Sequence, residues 1–393
     1  MAFTPLAFQE HQHVIVFVTI QWSVNKSRCI PIQAQTQTQS SPTWSPLPTK
    51  LSNQSANPPP YTGTPLFLFL SDIKLFFQDF FYLPYLFIPL YPWKSGPFCE
   101  LYPSRENLIG ITIHCILSVT QFAFLVSLFT LSFLPTFVYI GYVGVFFAAN
   151  FAGVFFDLIQ CLIQRALLYA TQDVRECYIL VKNALLDDHK KKVILILHSQ
   201  CGIEGGMIID WLLDEMPLDK LQKLEVYTFG NLANHFSNPY RGNGTRSSVI
   251  PHIEHHVNEK DFACRFGVLN FTRHYTQNEN RFAGKVFINR GGHQLNQHYL
   301  DDMFPLEKTL QRARAATEGD FMHRKVRVRT DGTMKVTTKA ELPPGFVVTG
   351  DEGSKNGSMR PDRVPMMGDL SRLWKYRNGQ LPDSFKSVLT DGM

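Results

Sequence analysis

The run Lys191-Lys-Val-Ile-Leu-Ile-Leu197, with His198-Ser199-Gln200-Cys201-Gly202 directly after it, decides the fold. An unbroken aliphatic stretch lacking the polar alternation of a half-exposed strand is the pattern of a strand covered on both faces in a parallel sheet. Met207-Ile-Ile-Asp-Trp-Leu-Leu213 then reads as a helix. Strand, sharp turn carrying a serine, then helix is the arrangement of a nucleophile elbow. It lifts a serine hydroxyl above the carboxyl end of a sheet, and the helix N-terminus behind it stabilises developing negative charge. Glycines ordinarily stand two residues before and two after such a serine, where strand and helix pass closely. Here those positions hold Leu197 and Cys201, and Gly202 follows one place later.

Outward from the elbow the texture alternates between helix and strand, which predicts an α/β domain around a parallel sheet. Apolar residues recur at helical spacing over 157–170 and 174–186. Strands are predicted at 223–230, 252–257 and 285–288, the second followed by a turn at Asn258-Glu-Lys-Asp261 and the third by Gly291-Gly-His293. Ser199, Asp261 and His293 each come just after a strand, in the order nucleophile, acid, base that α/β hydrolases use. In this assignment Ser199 attacks, His293 is the general base, Asp261 orients its imidazole, and Gln200 supplies an oxyanion N–H. Glu259 is the rival acid, His298 the rival base and Cys201 the rival nucleophile. Cys201 lies past the sharp point of the turn, and His298 falls at an apparent helix start. His252, His255 and His256 invite a metal site, but alternation sends His255 to the opposite face and no carboxylates complete a ligand set. Neither a metal nor a cofactor is expected.

The segments Phe156-Asp-Leu-Ile-Gln-Cys-Leu-Ile-Gln-Arg165, Ala170-Thr-Gln-Asp-Val-Arg-Glu-Cys177, Tyr227-Thr-Phe-Gly-Asn231 and His298-Tyr-Leu-Asp-Asp302 resemble a group of fungal, membrane-associated α/β-hydrolase-fold proteins that are lipase- or esterase-like. The resemblance covers about 66–305. Members typically carry Gly-His-Ser-Gln-Gly at the elbow, so this chain keeps His198, Ser199 and Gln200 and departs at both glycines. The resemblance implies hydrolase ancestry, with Asp261 and His293 standing where acid and base belong. A working hydrolase also needs an earlier strand whose loop donates a second oxyanion N–H. The sequence shows no such strand between the hydrophobic stretch and Asp157, so the sheet is expected to be partial.

The remainder of the chain sets the surroundings. From Asn107 to Phe156 there is no Asp, Glu, Lys or Arg. A helix needs about 20 apolar residues to cross a bilayer, so 107–156 is predicted to form a transmembrane helical hairpin, with crossings near 108–130 and 133–156. The flanking Lys94, Arg105 and Arg165 suit a cytoplasmic placement of the α/β-hydrolase-like domain, 157–305. The aromatic segment 66–106 is interrupted by Asp72, Lys74, Asp79 and prolines, which fits an interfacial position better than a spanning one. Residues 1–65, rich in Gln, Ser, Thr and Pro beyond Pro31, are expected to be a disordered leader; His13-Val-Ile-Val-Phe-Val-Thr-Ile20 within it is too short for a secretory core. Residues 306–393 are expected to be a basic, partly disordered C-terminal region, with a hairpin around Asp331-Gly332 and a loose stretch at 350–369. The net charge of +5, without basic runs interleaved with aromatics, gives no reason for a nucleic-acid partner. The scattered Cys residues show neither disulfide nor zinc spacing. The expected partners are membrane lipids and a hydrophobic ester.

Overall fold

A computed structural model describes residues 13–19, 65–88, most of 102–149, 154–241 except 240, 248–272, 281–304, 321–330, 333–336, 347–351, 366–377 and 382. Its centre is a parallel sheet. Strand β2 (Lys192–His198) pairs with β3 (Leu224–Phe229), β3 with β4 (His252–Asn258), and β4 with β5 (Lys285–Asn289). Val193, Leu195, Leu197, Leu224, Val226 and Phe287 are fully enclosed or nearly so, as the unbroken aliphatic pattern of β2 requires. The α/β expectation is met in this part of the chain.

The sheet extends past both ends of that core. Beyond β2 lies β1 (His13–Thr19), parallel and in register from His13 opposite Lys192 to Thr19 opposite His198. Residues 13–19, expected to lie in a disordered leader, thus form a strand beside β2, where a partial sheet was expected to lack an earlier strand. Val14-Ile-Val-Phe-Val18 is an apolar, β-branched run of strand character. The Gln- and Pro-rich stretch after it dominates the composition of the region and hides it. Beyond β5 the chain adds β8 (Val347–Asp351), parallel, which pairs antiparallel with β6 (Lys325–Thr330). Strand β6 in turn forms the expected hairpin with β7 (Thr333–Val336), Thr330 opposite Thr333, with the turn residues outside the described set. The region after 305 is thus partly built into the sheet, and its loose stretch 350–369 lies mostly outside the described residues.

Helix α1 (Pro65–Asp79) opens the aromatic segment and lies on the α/β domain. Two of the charges that make it a poor membrane segment, Asp72 and Asp79, turn inward, while Lys74 stays exposed. Asp72 meets Arg165, and Asp79 meets Arg265, at 3.2 and 2.9 Å. Phe76 packs edge-on against Phe262 with ring centroids 5.6 Å apart. Leu66, Phe67, Leu70, Phe77 and Phe81 face outward on the same segment.

The uncharged stretch forms two helices, α2 (Arg105–Thr130) and α3 (Thr136–Ala149). They pair through Ser127 Oγ and Tyr142 Oη, 2.6 Å apart, and through the rings of Phe124 and Tyr142. Among the described residues no helix is long and apolar enough to cross a membrane, so the two expected crossings are not found there. The second predicted crossing, 133–156, is described in two parts, α3 and the start of α4 (Val154–Leu167), and the residues between them lie outside the described set.

Candidate active site

Helix α5 (Gln172–Leu186) leads into β2, and Ser199 follows β2 with φ of 60°, a left-handed conformation rare for any residue but glycine. Its N–H donates to the carbonyl of Phe229 at 3.0 Å, and its own carbonyl accepts from Gly202 and Leu232. The turn is therefore pinned on both sides, which holds the strained serine in place. Helix α6 (Cys201–Glu215) begins immediately.

The structure shows how the elbow closes without its usual glycines. A Cβ on Gly205 would lie 2.1 Å from Leu197 Cδ1, and one on Gly202 would lie 2.2 Å from Asn231 Oδ1. The two bare positions have moved from the turn onto α6: Leu197 fills the space that Gly205 vacates, and Asn231 fits against Gly202. Cys201 is wholly enclosed in the core and so cannot serve as the nucleophile. Gln200 binds Gln164 of α4 through its side-chain amide, Nε2 to Oε1 at 2.7 Å. Its main-chain N–H has no acceptor among the described residues, so the main chain, and not the side chain, is what Gln200 offers to an oxyanion.

Acid and base meet at the same edge of the sheet. His293 Nδ1 donates to Asp261 Oδ1 at 2.9 Å. Asp261 is the N-cap of the helix Phe262–Phe266, where the same oxygen accepts the Ala263 N–H at 2.8 Å. Its other oxygen accepts from Tyr299 Oη at 2.6 Å and from Cys264 Sγ at 3.5 Å. Burial pushes the Asp261 carboxyl up, but His293, Tyr299 and His198 outweigh it and hold the group below its ordinary value. Tyr299 and Cys264 shift far upward through burial and through Asp261, so both remain protonated donors.

Gly230 completes the fit. Its φ is +57°, and a Cβ there would meet Asp261 Oδ2 at 2.9 Å and His293 Nδ1 at 3.1 Å. Any side chain at this position would both strain the turn and part the pair. Among the described residues no hydrogen bond joins Ser199 Oγ to His293, whose Nε2 is left without a partner.

The rivals fall elsewhere. His298 is committed on both nitrogens, Nδ1 accepting from the Gln294 N–H at 3.0 Å and Nε2 lying 2.6 Å from Gln297 Nε2. Glu259 engages through its main chain, with Asn289 and Arg265. His255 and His256 point to opposite faces, the first against Phe236 and Phe282, the second sandwiched between Phe229 and Phe287. Three contributors escaped the sequence reading: Tyr299, Tyr85, whose carbonyl accepts the His293 N–H at 3.1 Å, and His198. Only His198 carried a signal, its place beside the serine.

Compared with known proteins, the chain matches no family model, no curated protein and no solved structure.

Proposed function

We propose that this chain is a serine hydrolase of the α/β type that cleaves a hydrophobic, lipid-like ester. The observation that carries the reading is the Asp261–His293 hydrogen bond of 2.9 Å at the sheet edge where Ser199 stands in a left-handed turn before a helix. In the proposed reaction His293 Nε2 takes the Ser199 proton as Oγ attacks the ester carbonyl, and Asp261 stabilises the imidazolium so formed. The imidazolium then returns the proton to the departing alkoxide, leaving an acyl-serine that water hydrolyses by the same route. The Gln200 N–H is one oxyanion donor. The chain leaves β1 at Thr19, opposite His198, which is the position from which a neighbouring strand delivers a second donor in such enzymes.

The choice of a lipid-like substrate rests on apolar side chains exposed on the aromatic segment and the helical hairpin, among them Phe67, Phe77, Phe81, Val119, Phe122, Phe133 and Phe137. Large apolar side chains left exposed in such number on a folded protein suit contact with a membrane or a partner. We read the hairpin as lying in a membrane surface without spanning it. A fluorophosphonate probe tests the chemistry: wild type is labelled and Ser199→Ala is not, and an unlabelled wild type removes the proposal. A second reading, a catalytically inactive hydrolase-fold membrane protein serving as an interaction module, is favoured by the missing Ser199–His293 hydrogen bond. The same experiment separates the two.

A further inference from the structure

His293 is held by more than its acid. Its main-chain N–H donates to Tyr85, and its main-chain carbonyl accepts from His198 Nε2 at 2.8 Å. The His198 ring also stacks on the His293 ring, centroids 4.7 Å apart and planes 30° from parallel. His198 is the residue immediately before Ser199 and the last of β2. One side chain thus ties the strand that presents the nucleophile to the loop that presents the base, across 95 residues of sequence.

We propose that His198 is a positioning residue that fixes the distance and ring plane of His293 relative to Ser199, a role that rests on the reading of Ser199 and His293 as nucleophile and base. Two features of the chemistry suit it. Since a carbonyl can only accept, His198 must carry its proton on Nε2, so its tautomer is set by the bond it makes. The ring is also neutral: burial first, then the neighbouring His293, lowers its pKa to about 3. A neutral aromatic face against the base adds no repulsion when His293 takes up a proton, where a second cation would oppose it. Among the described residues no other side-chain hydrogen bond ties the serine's strained turn to the loop that carries the base, and small errors of distance between such groups cost large factors in rate.

The test compares three full-length variants. His198→Gln keeps an N–H donor for the His293 carbonyl, His198→Leu removes it with little change of volume, and His198→Phe keeps the ring stack alone. Each is read by its rate of fluorophosphonate labelling, its thermal melt, and the low-field proton resonance of the Nδ1–H that His293 donates to Asp261. With melts unchanged, labelling of the Leu variant is expected to fall at least tenfold and its low-field resonance to broaden or vanish. The Gln variant stays within about threefold of wild type and keeps the resonance. If the Leu variant does not fold, the Phe variant takes its place in the same comparison with Gln. Equal labelling and an intact resonance in both the donor-less variant and Gln would overturn the proposal. Absence of labelling in wild type strikes the hydrolase reading instead, and the resonance still reports whether His198 holds the base.

Discussion

Buried carboxylates stand at both edges of the same sheet, and they are used differently. At the carboxyl edge, Asp261 binds a histidine whose other nitrogen is left open. At the amino edge, Glu225 and Glu254 are surrounded by donors. Glu225 accepts from Lys192, Tyr227, Arg372 and Tyr376 at 2.8–3.0 Å. Glu254 takes Ser371 Oγ at 2.9 Å and the main-chain N–H of Arg372 and Leu373. Burial pushes both glutamates up, but Arg372, Tyr227 and Lys192 pull Glu225 down, and His256, Lys285 and the Arg372 N–H pull Glu254 down, so both end below their ordinary value. The amino edge spends its carboxylates on clasping the segment 366–377, which seats Met367, Leu370 and Trp374 in the core. The carboxyl edge keeps an acid–base pair with one position vacant. A buried carboxylate beside a histidine is therefore not distinctive by itself, since Glu254 has His256 3.6 Å away with its ring nitrogens unpartnered; what sets Asp261 apart is that it lies at the end of the sheet where Ser199 stands in a left-handed turn.

Four experiments press on this contrast. The largest effect is expected from Asp261→Asn, which leaves the imidazole with the wrong tautomer: labelling of Ser199 should slow by about a thousandfold or more while circular dichroism stays near wild type. A Glu225→Gln protein, measured alongside, should keep most of its labelling rate. The second change, Glu254→Ala, strips the acceptor from Ser371 and two main-chain N–H groups. A loss of about 3 kcal/mol in urea unfolding is expected, with early proteolysis near 366–377. A loss of labelling at unchanged stability would blur the distinction between the edges.

The third uses pH. Glu225 and Glu254 have depressed folded-state values, so the stability they contribute is present above the unfolded value of 4.5 and is lost as pH falls through the lower folded one. Glu204, in the first turn of α6, goes the other way. Burial, with Asp173 adding to it, raises it to about 8 against the partial relief of a Gln164 hydrogen bond. Its contribution is complete below 4.5 and is lost as pH rises through about 8. Glu204→Gln should therefore gain on the order of 2 kcal/mol over wild type at pH 8 and almost nothing at pH 4.5. A difference that does not grow with pH would show that Glu204 is ionised throughout. The smallest effect concerns the displaced glycines: Gly205→Ala should cost about 1–2 kcal/mol by overpacking against Leu197. The double variant with Leu197→Ala should recover part of that, a coupling measurable in a double-mutant cycle.

Much of the central sheet was legible because its strands carry their own pattern. The aliphatic run of β2 and the turns after β4 and β5 placed Ser199, Asp261 and His293 at one edge, and the structure brings the last two into contact. What was not legible depends on contacts between distant residues. Nothing local in His13–Thr19 says that its neighbour is Lys192–His198. The Leu197–Gly205 fit joins a strand to the second turn of a helix, so a motif read position by position registers only two missing glycines. Asp72 and Asp79 looked like flaws in a membrane segment until Arg165 and Arg265 supplied their partners. Tyr299 and Tyr85 reach the site from helix and aromatic segment by geometry alone.

Strand β1 also sets a timetable for synthesis. Its partner β2 starts 173 residues after Thr19 (192 − 19), and at roughly 5–20 residues per second the ribosome needs about 10–35 s to make the intervening chain. For that interval an apolar strand is out in the cell with its pairing edge bare, while the uncharged helical hairpin emerges behind it. An unpaired edge of this kind is what chaperones bind and what aggregates form on. The elbow's neighbour is thus made well before the strand it pairs with, and its stability in the sheet is realised only once that strand is complete.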